Sequence, residues 1–158
     1  MRKCWIKRFV VIGCSLVLIL GTGGTSKTAY AVLSDLGARQ ILKASIIDEP
    51  GTITYEEANT IHNDVDIIIN TTPVGMYPNI DCSVVDREII KKFEVAIDLI
   101  YNPIQTKFLK LAYQEGKITV GGLHMLIGQA VKSQAIFNDK DIDNDLINYI
   151  YDNIKDIF

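Results

Sequence analysis

Gly21, Gly23 and Gly24, followed by Thr25, Ser26 and Ala29, are the residues whose types and spacing most directly suggest chemistry. Glycines at such a turn accept backbone angles that side chains forbid and leave room for a bulky anion. If a helix begins there, its unpaired N–H groups and its dipole favour a phosphate or diphosphate. The stretch Leu-Gly-Thr-Gly-Gly-Thr-Ser-Lys-Thr-Ala at 20–29 therefore reads as a dinucleotide cradle. Its spacing is not the usual one, because Ala29 stands where a third glycine commonly lets helix and strand pack closely. Glycine-rich strand-to-helix turns also occur without any ligand, so the loop alone leaves that bland alternative open.

The neighbouring residues are those needed to position such a loop. Leu16, Val17, Leu18 and Ile19 form a short apolar run ahead of it, and Ala29, Val32, Leu33 and Leu36 follow at helical spacing. That predicts a buried strand, a turn and a helix. Gly37 is a natural helix stop, and residues 40–47 predict a second strand. A turn at 48–52 precedes Thr54, which with Glu57 has the spacing of a capping box for a helix running to about residue 62. Residues 65–69 form an apolar strand of the kind buried on both faces of a parallel sheet. A short helix is expected at 87–92, a strand at 95–99, a helix through Phe108, Leu109 and Ala112 up to Gly116, and a brief strand at 118–120. Leu123, Leu126, Ile127 and Ala130, then Ile142, Leu146, Ile150, Ile154 and Ile157, mark two C-terminal helices.

Strands alternating with helices predict an α/β, Rossmann-like, mostly parallel sheet with helices on both faces, ending in C-terminal helices. Ligands of such sheets lie beyond the carboxyl ends of the strands. Four strands here run into special turns: the glycine loop, Asn-Thr-Thr-Pro-Val-Gly at 70–75, Tyr-Asn-Pro at 101–103 and Gly121-Gly122. Their shared edge outlines a cleft.

The 158 residues, 48% of them hydrophobic, suffice for one core and predict a single domain. A net charge of −3 with both signs interspersed offers no basic stripe, which argues against nucleic acid as a partner. Three cysteines without ligand spacing suggest a reducing compartment and no metal site. Arg2, Lys3, Lys7 and Arg8 ahead of the apolar stretch 9–20, with Ala-Tyr-Ala at 29–31, imitate a secretory signal. Cleavage after Ala31 would remove the first strand and the glycine loop, so a cytoplasmic chain is expected. The apolar run is also shorter than the ~20 residues a spanning helix needs, so no membrane association is expected.

With these motifs in order, the chain from residue 16 onward resembles the nucleotide-binding and C-terminal portion of shikimate dehydrogenase. The stretches that carry the likeness are 21–29, Asn-Thr-Thr-Pro-Val-Gly-Met at 70–76, Asp-Leu-Ile-Tyr-Asn-Pro at 98–103 with Thr106, and Gly-Gly-Leu-His-Met-Leu-Ile-Gly-Gln at 121–129. The resemblance implies reversible, NADP-dependent reduction of 3-dehydroshikimate to shikimate, a step toward chorismate and the aromatic amino acids. It implies cofactor contacts at Gly21, Gly23, Gly24, Thr25, Ser26, Ser45, Thr72, Leu99, Gly122 and Met125, and substrate contacts at Tyr101 and Gln129. It divides the chain into an unmatched basic and apolar extension at 1–15, a dinucleotide-binding domain at 16–122 and C-terminal helices at 123–158.

Two departures accompany the likeness. The family's substrate domain, which supplies a catalytic lysine and aspartate, has no counterpart in residues 1–15, so no catalytic residue is assigned and the chain alone is expected to be inactive. At the end of the second strand the family carries basic residues for the 2′-phosphate, whereas this chain has Ser45, Ile46, Ile47, Asp48 and Glu49. NAD is therefore the other cofactor these residues would admit. A catalytically silent nucleotide-binding or interaction module, working beside a separate substrate domain, is the competing reading. The C-terminal isoleucine stripe and residues 9–12 would either leave an apolar patch that drives self-association or be buried as the last helix closes onto the sheet.

Overall fold

The computed structural model describes residues 15–47, 49–61 and 66–155. In chain order these form β1 (Leu16–Leu20), α1 (Gly24–Asp35), β2 (Gln40–Ser45), β3 (Ile53–Thr54), α2 (Tyr55–Thr60) and β4 (Ile67–Asn70). Then follow α3 (Arg87–Ile90), β5 (Val95–Asp98), α4 (Lys107–Gln114), β6 (Ile118–Val120), α5 (Leu123–Phe137) and α6 (Asn144–Ile154). The strands make one six-stranded sheet in the order β3-β2-β1-β4-β5-β6. All of its pairings are parallel.

Successive side chains of a strand point to opposite faces, and both faces here are covered. Leu16, Leu18 and Leu20 join Ala44, Ile68 and Ala96 on one face, against Ala58, Ile90, Phe93 and Phe108 from the α2 to α4 region. Val17, Ile19, Ile67 and Ile69 line the other face with Leu33 of α1. β1 is buried throughout because it is a central strand covered on both sides. The apolar residues at 16–20 are thus spent on the sheet, and Ala31 lies inside α1. Among the described residues no helix is long and apolar enough to cross a membrane.

Local chemistry sets several boundaries. Thr54 Oγ1 accepts from Glu57 N–H at 3.1 Å, while Glu57 Oε2 accepts from Thr54 N–H at 2.7 Å, completing the expected capping box. β2 ends at Ser45, two residues earlier than the apolar run suggests, because Ser45 Oγ captures the Ile47 N–H at 3.0 Å and turns the chain. The two-residue β3, which pairs with Ala44 and Ser45 of β2, is a strand the sequence did not lead us to expect; the other bounds within the described residues fall within a few residues of expectation, and positions 62, 65 and 157 lie outside them.

The C-terminal helices differ from the expected closure onto the sheet. Ile142, Ile147, Ile150 and Ile154 of the α6 region pack instead on Leu123, Ile127 and Val131 of α5, with Ile104 beside them. The isoleucine stripe is therefore largely covered within a helix pair. Residues 9–12 and the rest of 1–14 fall outside the described residues.

Candidate dinucleotide site at the carboxyl edge of the sheet

β1 leads to β2 on one side and is flanked by β4 on the other, so the strand order reverses beside β1. Such a reversal opens a crevice at the carboxyl edge. The glycine turn sits there. Gly21 N–H donates to Ala44 O at 2.8 Å, which ties the turn to the end of β2. Thr71 N–H and Thr71 Oγ1 both donate to Leu20 O, at 3.1 and 2.6 Å, tying it to the loop after β4.

Gly21 has φ +102, and a Cβ there would stand 2.8 Å from Thr72 Cγ2. Both the backbone angle and the close approach of two loops therefore require glycine. Gly23 and Gly24 differ, since a Cβ on either would meet nothing within 4 Å. Those glycines keep open the space in front of the N-terminus of α1, a 12-residue helix with no side-chain cap and no acidic residue in its first turn. Free N–H groups, a favourable dipole and an unfilled cradle fit a diphosphate.

Ser26 lies in that first turn, but its side chain is buried and Oγ has no hydrogen-bond partner. Thr25 remains exposed beside the open glycines. Ser45 is also buried, and its hydroxyl accepts the Ile47 N–H. Asp48 lies outside the described residues, and Glu49 is exposed.

The loops after β4 and β5 are joined by a buried polar cluster whose members lie in the motifs at 70–76 and 98–106 but whose mutual contacts those motifs do not announce. Asn70 and Asp98, opposite each other in register, are fully buried, as is Thr106. Asn70 Nδ2 donates to Asp98 Oδ1 at 3.1 Å, and Thr106 Oγ1 donates to Asp98 Oδ2 at 2.6 Å. Ile100 N–H adds a third bond to Asp98 Oδ1 at 3.0 Å. Asn70 Oδ1 accepts from Thr72 N–H and Thr72 Oγ1 at 3.0 and 2.7 Å. Burial pushes the Asp98 carboxyl above its ordinary value, against the opposing pull of its Thr106, Ile100 and Asn70 hydrogen bonds. The signal available in the sequence is a polar residue closing each apolar strand, with a threonine eight residues after the aspartate.

Leu99 and Gly122 meet directly. A Cβ on Gly122 would stand 2.3 Å from Leu99 O and 2.8 Å from Ile100 O, and Gly122 N–H donates to Ile100 O at 3.1 Å. The glycine thus allows the start of α5 to close against the end of β5. Tyr101 is exposed just beyond that contact, and Met125 and Gln129 are exposed one helical turn apart on α5. Gly21, Thr72, Leu99 and Gly122 consequently follow the sheet order along one edge, with Ser45 on the other side of the glycine turn.

No protein-family model matches the chain. The shikimate dehydrogenase (NADP(+)) of Clostridium beijerinckii is 39% identical over 151 residues, an alignment that takes in 90% of this chain and 55% of that protein. A chorismate mutase/shikimate 5-dehydrogenase fusion protein from Clostridium acetobutylicum superposes with a TM-score of 0.88 at 38% identity, covering 98% of this chain and 58% of the other. A shikimate dehydrogenase solved in complex with NADP+ superposes with a TM-score of 0.70 at 30% identity, covering 89% of this chain and 55% of the other. The chain spans about half the length of the curated relatives it matches.

Proposed function

We infer that this chain, homologous to NADP-dependent shikimate dehydrogenases over about half of their length, serves as the dinucleotide-binding portion of such an enzyme. The reaction is reversible reduction of 3-dehydroshikimate to shikimate, in the cytoplasm, on a small-molecule substrate. The observation that carries this reading is the uncapped N-terminus of α1 behind Gly23 and Gly24, open at the strand-order reversal.

In this reading the first-turn N–H groups of α1 hold the diphosphate. The Thr72 loop, locked to Asn70, forms the adjoining wall. Leu99, Gly122 and Met125 border the nicotinamide half, and the close contact between Leu99 and Gly122 fixes that border. When bound, the dinucleotide supplies the hydride. Tyr101 and Gln129, both exposed, are the side chains offered to substrate. In the resemblance noted above, proton transfer falls to a lysine and aspartate of a substrate domain.

Calorimetry with reduced and oxidised dinucleotides, followed by an assay of shikimate oxidation, tests the reading. The 158 residues alone are expected to bind dinucleotide and to show no turnover above background, because lost acid–base help alone is worth about 10²–10⁴-fold. Adding a separately produced substrate domain from a relative should restore measurable turnover. Binding without restoration would favour the silent nucleotide-binding module, and absence of dinucleotide binding would overturn both readings.

A further inference from the structure

In a dinucleotide-binding sheet, the residues just past the strand beside the glycine-loop strand meet the ribose 2′ substituent. A carboxylate there suits a 2′-hydroxyl, and an arginine suits a 2′-phosphate. In this chain that strand is β2, whose end is fixed beside the turn by the Gly21 to Ala44 hydrogen bond. Residues 45–50 read Ser-Ile-Ile-Asp-Glu-Pro and contain no cation.

The side chains make the mismatch with a phosphate specific. The Ser45 hydroxyl is buried and accepts the Ile47 N–H; it keeps an O–H to donate but carries no charge to offset a phosphate dianion. Ile46 and Ile47 are 89% and 60% exposed, and neither side chain carries a donor. Lys43, the nearest preceding cation on β2, directs its Nζ to within 5.6 Å of the Tyr30 ring centroid on α1. Arg39 precedes β2, at the opposite end of the strand. Glu49 is exposed after the turn and would repel a phosphate dianion close to it.

We propose that the end of β2, which offers no cation to a ribose 2′-phosphate, does not select for one, so that this chain binds NAD(H) at least as tightly as NADP(H), with Ile46 the specificity-determining position. The proposal rests on the dinucleotide reading above. It separates this chain from the relatives whose names specify NADP.

Titration of the full 158-residue chain with NADH and NADPH, followed by calorimetry, tests it, with far-ultraviolet circular dichroism as the control for folding. The expected result is a dissociation constant for NADH equal to or below that for NADPH. Ile46→Arg, a substitution at an exposed site, should tighten NADPH by about tenfold or more through a charge-assisted contact and leave NADH within about threefold. Wild-type chain that binds NADPH about tenfold tighter than NADH overturns the proposal while leaving the dinucleotide reading intact. An Ile46→Arg chain that folds but gains nothing for NADPH overturns the assignment to Ile46. Binding of neither nucleotide overturns the dinucleotide reading and this proposal together.

Discussion

Asn70 and Asp98 stand opposite each other at the carboxyl ends of adjacent strands, fully buried, with Asn70 Nδ2 3.1 Å from Asp98 Oδ1. Each residue holds the loop that leaves its own strand, Asn70 through Thr72 and Asp98 through Ile100 and Thr106. The pair therefore fixes the two walls of the candidate cleft relative to each other. Asp98→Asn places an amide where three donors converge, and Thr106→Val removes both the bond to Asp98 and the cap on Leu109 N–H. Each substitution is expected to cost about 2–4 kcal/mol in urea unfolding, the scale of a buried charged hydrogen bond plus a helix cap. A loss below about 0.5 kcal/mol, typical of surface changes, would remove the pair from this role.

Asp98 also predicts a pH dependence. Burial raises its carboxyl above 3.8 in the fold, so the folded chain holds that proton more tightly than the unfolded one. Its contribution to stability is fully present below the unfolded value and is lost as pH rises through the raised one. Asn at this position does not titrate. The stability gap between wild type and Asp98→Asn should therefore be widest below pH 3.8 and narrow toward neutrality, as followed by urea unfolding at several pH values. A gap that widens with pH would contradict the assignment.

Periodicity in the sequence revealed the alternation of strands and helices, and the Thr54 and Glu57 capping box was legible because both halves of it are local. Other features depend on tertiary context. An asparagine that closes an apolar strand reads the same whether it faces water or, like Asn70, a buried carboxylate. Gly122 reads as a turn residue, yet its φ is −74 and glycine is needed there for the approach of Leu99 O. The isoleucine stripe of α6 announces that one face is buried without naming α5 as the surface that buries it. Ser45 shows the reverse effect, a local side-chain bond that ends β2 against the propensity of Ile46 and Ile47.

The glycines of the site should separate stability from binding. Gly122→Ala forces a Cβ onto backbone atoms of Leu99 and Ile100 and is expected to cost about 1–3 kcal/mol or more, the range for overpacking. Gly21→Ala adds strain from its positive φ, which Thr72→Ser relieves only on the steric side. Gly23→Ala and Gly24→Ala place their methyl groups in open space, so folding stability should change by less than about 1 kcal/mol, the scale of a glycine-to-alanine change. Both should nevertheless weaken dinucleotide binding by filling the diphosphate cradle. Unfolding curves and calorimetry on the same four variants check the split, and unchanged binding in Gly23→Ala and Gly24→Ala would count against the cradle.

Ser26 offers a test of opposite sign. Its buried Oγ has no partner, and an unsatisfied buried polar group costs about 1–3 kcal/mol. Ser26→Ala is therefore expected to hold or raise the melting temperature of the free chain. It should leave dinucleotide affinity within about twofold, well under the tenfold that 1.4 kcal/mol represents, because the side chain is turned inward. A large loss of affinity would show that the hydroxyl turns outward to the ligand.

Apolar side chains left uncovered on α5 and α6 favour association of the 158 residues in isolation. Most of the apolar stripe of α6 is covered by α5, and what stays open lies elsewhere: Ile136 and Phe137, at the C-terminal end of α5, are 80% and 82% exposed. Tyr149 and Leu146 of α6 are also exposed, three residues apart and so on neighbouring positions of that helix. Large apolar side chains left in water at adjacent positions favour contact with another apolar surface. The chain is therefore expected to show concentration-dependent dimers or larger species by sedimentation and light scattering. Ile136→Lys with Phe137→Glu should shift it toward monomer without loss of secondary structure, since neither side chain belongs to the packed cluster. Ile147→Lys, by contrast, buries a charge between α5 and α6 and should loosen that helix pair. Relief of association by an added substrate domain would place that domain on the same surface, whereas a monodisperse monomer at every concentration would show that these side chains are tolerated in water as they stand.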